Sequence, residues 1–207
     1  MSFVISSFVP FPNLSWWISR FAAQEVLWDA SEHFQKMTFR NRYYIAGATR
    51  KQMLSIPIAE GRNNRRPMRD IAISYHEDWR KQHWRTLFSA YNRSPFFSYY
   101  APTLEVLFRK QHRLLSEFSL ESYYWCCQQL RIQPEDRIVE VYRKDYPESA
   151  ADLRNLRPQD ATEVASLRYQ QVFQERHGFI PNLSVLDLLC AEGPGAGLLL
   201  RQWARST

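Results

Sequence analysis

The chain has 207 residues, 45% of them hydrophobic and 23% charged, which suits one domain with a sizeable core and excludes a disordered, fibrous or two-domain protein. Its 6 glycines argue against a glycine-rich nucleotide-binding fold, and its 3 cysteines, two of them adjacent, make neither a disulfide framework nor a zinc spacing. The net charge of +6 is unevenly spread: His33 to Arg113 carries 16 Lys and Arg against 5 Asp and Glu, so the middle of the chain is the basic part and the remainder is acidic. Such a field favours an anionic partner.

Phe3 to Ser7 reads as a buried first strand, ended by the Pro10-Phe11-Pro12 stretch. Asn13 is a candidate N-cap for a helix whose Trp16, Trp17, Arg20 and Phe21 recur at three-and-four spacing. Glu25 to Asp29 reads as a second strand. Together they predict a βα unit whose loop, Val9 to Asn13, lies at a strand's carboxyl end, where open α/β sheets bind ligands. Phe39 to Ile45 predicts a strand that turns at Gly47 into Lys51 to Ile58. In that register Phe39, Asn41, Tyr43 and Ile45 share one face, and Arg40, Arg42 and Tyr44 the other. Gly61 to Pro67 holds three arginines and reads as a lid-like loop, with Ile71 to Tyr75 as a further strand.

Helical spacing takes over at Trp79, His83, Trp84, Leu87, Phe88 and Tyr91, ending at Asn92. Pro102 is placed to start the next helix, and Ser119 to cap a third. Glu135 to Tyr142 reads as a last strand. Tyr169, Val172 and Phe173 are helically spaced, and Ser184 with Asp187 forms a capping-box-like helix start ended at Gly193-Pro194. The class is therefore α/β (or α+β): an N-terminal mixed sheet with a βα unit and a hairpin, then a helical second half and a docked C-terminal tail. The expected divisions are a main body over 1–143, a flexible connection over 144–167 and a helical tail over 168–207.

The densest polar cluster is Glu32, His33, Gln35, Lys36, Arg40, Asn41 and Arg42. There an amide could orient a substrate while Arg and Lys hold phosphate or carboxylate; a salt-bridged edge strand with a satisfied Asn is the alternative. His83, between Trp79 and Trp84, could serve as a general base or be a core-edge histidine. The five histidines have no metal spacing, and no Gly-x-Ser-x-Gly, Walker A or dinucleotide fingerprint occurs, so neither metal nor cofactor is expected. Basic residues interleave with Tyr43, Tyr44, Tyr75, Trp79 and Trp84 as RNA stacking would require, but the core claims most of these rings and no nucleic-acid motif is present. No apolar run approaches the roughly 18 residues of a membrane span, and Met1 to Pro10 lacks a basic flank, so a cytoplasmic protein is expected.

Phe11-Pro12-Asn13-Leu14-Ser15-Trp16-Trp17, and then Glu32 through Ile45, resemble the opening of WbqC-like proteins, in the form found in Bacteroidetes. Leu54 to Ile58, Trp79 with His83-Trp84-Arg85, Tyr91 to Phe97 and Leu183 to Leu189 resemble further blocks of that family. Many members carry a His in the first loop before Pro12, and this chain has none there. The resemblance implies a bacterial protein associated with O-antigen and surface-polysaccharide assembly. It directs attention to Glu32, Lys36, Asn41, Arg42 and His83, the polar positions of the matched blocks.

The expectation is a group-transfer enzyme acting on an amino or nucleotide-activated sugar, transferring an acyl or aminoacyl group. In it Lys36, Arg40 and Arg42 hold an anionic donor (a nucleotide sugar, phosphosugar or acyl thioester), Asn41 orients it, and His83 or Glu32 takes the acceptor's proton. Asn13, Tyr91 and Asn92 complete the candidate substrate-binding set. The alternative is a non-catalytic scaffold of a polysaccharide assembly complex.

Overall fold

In a computed structural model, which describes residues 2–59, 66–147, 149–158 and 168–206, the first strand and helix form where the apolar spacing places them. β1 (Phe3–Ser6) leads through a loop to α1 (Leu14–Ala22) and β2 (Glu25–Asp29), and β2 pairs parallel to β1 with Ser6 opposite Trp28. Asn13 caps α1, its Oδ1 accepting the Trp16 N–H at 3.1 Å. Trp16 and Trp17 are fully buried. The Trp16 ring stacks on Trp28 of β2 at 5.5 Å, and its indole N–H donates to Ser6 Oγ at 2.8 Å. Aromatic pairs of this kind contribute about 0.5–1.5 kcal/mol beyond their burial, so an aromatic stack fixes α1 on the sheet.

The predicted strand over Phe39 to Ile45 is corrected. Phe39–Asn41 forms a 3-10 turn capped by Thr38, and β3 (Arg42–Ala46) pairs antiparallel with β4 (Lys51–Ser55). Tyr43 and Ile45 face the core as expected, but Arg40 is buried, not on the outer face, because the turn breaks the alternation that a strand would impose. Of the three-arginine loop, residues 61–65 lie outside the described residues. Ile71 to Tyr75 makes only isolated bridges, Ile73 with Ile58 and Ala72 with Leu114, so it is not a strand.

α2 (Trp79–Tyr91) has the predicted bounds, with Asp78 as its N-cap. α3 (Phe97–Arg109) starts five residues before Pro102, whose ring sits on the exposed side of the helix, where one lost backbone bond is tolerated. α4 (Leu115–Leu130) starts ahead of Ser119. Glu117 Oε2 accepts the Leu114 N–H, while the Ser119 hydroxyl, inside the helix, donates back to the Leu115 carbonyl.

β5 (Asp136–Val139) adds parallel to β2, and β6 (Ala150–Asp152) adds parallel to β1, giving the order β5-β2-β1-β6. β6 falls inside the stretch read as a connection; its small residues, Ala150 and Ala151, gave no apolar signal for a strand. The helical spacing of Tyr169, Val172 and Phe173 does not give a helix there; a four-residue helix, α5 (Gln174–His177), follows that stretch. α6 (Val185–Glu192) is capped by Ser184, a 3-10 turn spans Gly193–Gly195, and α7 (Ala196–Ser206) packs along α1 with Trp203 buried. The tail is thus docked. It also reaches the sheet's carboxyl edge, since Leu14 N donates to the Leu183 carbonyl and Val185 N to the Pro12 carbonyl.

Candidate functional site

The carboxyl ends of β1, β2 and β6 meet at one edge, and the loop Ser7 to Asn13 crosses it. Phe11 in that loop has φ +43°, a left-handed backbone that costs a bulky residue of order 1–3 kcal/mol. It is held on both sides: its N–H donates to Ser122 Oγ at 3.0 Å, and its carbonyl accepts from Ser184 Oγ at 3.0 Å. Its ring packs among Tyr43, Phe108, Phe118 and Trp125.

Behind the loop lies a closed slot of about 10 Å³, the room of about one water molecule, with Ser7, Asn13 and Trp16 on one side. Arg40 lines it too, and Leu153, Arg154 and Leu156 form the wall that follows β6. Two side-chain atoms of the slot lining, Asn13 Nδ2 and Arg40 Nε, are buried without a hydrogen-bond partner, and the Ser7 hydroxyl adjoins the Glu32 carboxyl.

The charges here are buried and largely paired. Arg40, 1% exposed, forms an ion pair with Glu32 through Nη2, which also donates to the Arg154 carbonyl at 2.9 Å. Arg154 donates to Asp29 at 3.1 Å and grips Asp152 through Nε and Nη2. Asp29 Oδ1 in turn accepts the N–H groups of Ser31 and Glu32, which sets the turn carrying Glu32. Burial pushes the Glu32 carboxyl above the usual carboxylate range. The Arg40 guanidinium and the adjoining Ser7 hydroxyl oppose that shift, and Asp29 adds to it. A buried carboxyl that binds protons more tightly than a free one suits proton transfer near neutral pH.

The other expected site residues are distributed elsewhere. Lys36 is exposed, and the Arg42 guanidinium lies beside the sulfur atoms of Met37 and Met53, at 3.7 and 3.4 Å. Asn41 Nδ2 donates to the Ile56 carbonyl at 2.9 Å, bracing the hairpin. Tyr91 is buried, its hydroxyl donating to Asp187 and accepting the Ala46 N–H, and Asn92 is the exposed C-cap of α2.

His83 is 4% exposed and both ring nitrogens are engaged, Nδ1 with Tyr43 Oη at 3.0 Å and Nε2 with the Ser55 carbonyl at 3.2 Å. A carbonyl only accepts, so Nε2 carries the proton and Nδ1 accepts from Tyr43; the ring is neutral, and burial lowers its pKa from 6.5 to about 4. No ring nitrogen is left for a substrate. The three cysteines are free and buried, and burial pushes each thiol up, Cys127 to about 12.

Sequence patterning placed the Val9 to Asn13 loop at a ligand-binding edge and singled out Glu32 and Arg40. It missed Ser7, Asp29 and Arg154. The position of Asp29 as the last residue of a predicted parallel strand was a usable signal; Arg154, in an aromatic-poor stretch, had none. Among the described residues no group of His, Cys, Asp and Glu could hold a metal ion, and no helix is long and apolar enough to cross a membrane.

A parallel sheet whose carboxyl edge carries a polar slot under a strained loop defines an α/β protein with its candidate site at the strand ends. The chain belongs to the WbqC-like protein family, whose sequence profile matches residues 9–156, from the strained loop to the wall after β6. No curated protein and no solved structure matches it.

Proposed function

We propose that this protein is a group-transfer enzyme that places an acyl or aminoacyl group on an amino or nucleotide-activated sugar during assembly of a bacterial surface polysaccharide, and that it works at the slot. The observation that supports this most is the pair of buried, unpartnered donors Asn13 Nδ2 and Arg40 Nε, with the Glu32 carboxyl beside Arg40, at the carboxyl edge of the parallel sheet. Each such atom costs about 1–3 kcal/mol if left unsatisfied, and a polar ligand would recover that cost. Membership of the family supports the polysaccharide context.

In this reading Arg40 binds an anionic or carbonyl oxygen of the donor, Asn13 orients it, and Glu32 takes the acceptor's proton. The acceptor nitrogen or oxygen forms a bond to the donor's carbonyl carbon, the bond to the leaving group breaks with its electron pair, and Glu32 passes the proton to that leaving group. Lys36 and Arg42, outside the slot, contribute to the positive field that draws the donor in. His83 takes no part. The slot has room for one polar group of the donor, and the rest of the donor lies outside it.

The test is a thermal-shift screen of wild type, Asn13→Ala and Arg40→Lys against nucleotide sugars, phosphosugars, acyl thioesters and nucleoside triphosphates, followed by mass spectrometry for a transferred group. A shift confined to one ligand class in the wild type and lost in both variants identifies the donor. Equal shifts in all three proteins would take the donor away from the slot, and no shift with any compound would count against an enzyme of this kind.

A further inference from the structure

A second cavity, of about 670 Å³, opens between α2 and α3 and shares no lining residue with the slot. That volume is of the size that holds a small organic ligand. On α2, Lys81, Trp84, Arg85 and Phe88 recur at three-and-four spacing and so share a face; Phe108 of α3 closes the cavity opposite them.

The aromatic part is rigid. Trp84 stacks on Phe97 at 6.0 Å, and Phe88, half exposed, meets the same Phe97 ring edge-on at 5.8 Å. The cationic part is in excess. Glu105 is spoken for by its ion pair with Arg109, and Asp78 accepts the Lys81 backbone N–H as the α2 cap. Arg80 is anchored, its Nη1 donating to the carbonyls of Arg109 and Lys110 at 3.1 and 2.9 Å, which holds its charge at the cavity's rim. Flat, braced rings beside Arg80, Lys81 and Arg85 match a ligand that is aromatic at one end and anionic at the other.

We infer that this cavity binds a nucleoside phosphate, with its base against Trp84 and Phe88 and its phosphates on Lys81 and Arg85. The inference rests on the α2–α3 cavity alone and stands or falls separately from the chemistry of the slot.

Isothermal titration calorimetry with ADP, UDP, uridine, sodium pyrophosphate and a short single-stranded RNA tests it, on wild type, Trp84→Leu and Arg85→Glu. Position 85 is exposed, so its variant retains the fold even if loss of the half-buried Trp84 ring disturbs α2. At least one nucleotide should bind, uridine and pyrophosphate should each bind about tenfold more weakly or worse, and each variant should lose about tenfold in affinity. The inference is overturned by the absence of nucleotide binding at millimolar concentration, by pyrophosphate binding as tightly as UDP, or by full affinity in Arg85→Glu. RNA binding far tighter than either nucleotide, with a steep salt dependence, would overturn it in favour of a nucleic-acid surface.

Discussion

Arg154, just after β6, donates to Asp29, the last residue of β2, at 3.1 Å across the end of β1, the two standing 125 positions apart in sequence. The same guanidinium reaches the carbonyls of Arg143 and Lys144 beyond β5, at 2.7 and 3.0 Å. One side chain therefore ties three strand ends together, and through Asp29 it sets the turn that presents Glu32.

Removing it should be costly. Arg154→Ala leaves Asp29, which is 0% exposed, without its cation, and should lower unfolding free energy by about 3–5 kcal/mol in urea titrations. Arg154→Lys should fall between the two, since it keeps the charge but not the planar fork. A loss below about 1 kcal/mol for Arg154→Ala would show that the edge is held by other contacts.

Glu32→Gln tests the proton-transfer role with the shape preserved. The amide oxygen can still accept from Arg40, but the buried guanidinium loses its counter-charge, so unfolding free energy should fall by about 3–5 kcal/mol; at a temperature where both proteins are folded, transfer should slow by about 100-fold or more. Unchanged turnover would remove Glu32 from the reaction.

His83 gives the fold a pH dependence of definite sign. Its folded pKa of about 4 lies below the unfolded 6.5, so the stability it contributes is complete above pH 6.5 and is lost as pH falls through about 4, on the order of 3 kcal/mol in all. Denaturant midpoints of wild type and His83→Gln should converge as pH is lowered from 7 towards 4. Parallel curves over that range would contradict the neutral, Tyr43-bonded ring.

The tail is tied to the body by Asp187, which accepts from Tyr91 at 2.7 Å and from Tyr169 at 2.6 Å. Burial raises the Asp187 pKa above 3.8, so its contribution is full below that value and is lost as pH rises through the raised one. Tyr169→Phe removes one donor from this buried carboxylate and the acceptor of Gln171 Nε2, and should cost about 1–3 kcal/mol. Limited proteolysis should then cut first in the segment around residue 169, and equal resistance in both proteins would argue against the tie.

Gly197 is required for the approach of α7 to the end of α4. A Cβ there would stand 2.5 Å from the Leu130 carbonyl oxygen, so Gly197→Ala should destabilise by about 1–3 kcal/mol. Scanning calorimetry would register this, and an unchanged melting temperature would mean that the two helices can separate freely.

Elements built from local pattern were legible in the chain. The βα unit, the Asn13 cap, β2 and α2 follow from apolar spacing and capping, which act over a few residues and need no knowledge of the rest of the fold. The blocks around Pro12 and Glu32 to Ile45 likewise pointed to the family. The Phe39 to Asn41 turn was misread because Thr38 capping and the burial of Arg40 against Glu32 outweigh strand alternation there. β6 was missed because Ala150 and Ala151 carry little pattern of their own and become a strand only beside β1.

The site divides in the same way. Glu32, Arg40 and the loop before α1 stand out in one dimension because they combine charge with recognisable position. Which of the polar residues are consumed by the structure, as His83 and Tyr91 are, and which are left buried with free valences, as Asn13, Arg40 and, at its Oδ1, Asn41 are, depends on partners up to 125 residues away. Hydrogen bonding and desolvation are settled by distances in space, and only the tertiary structure brings those groups within range of one another.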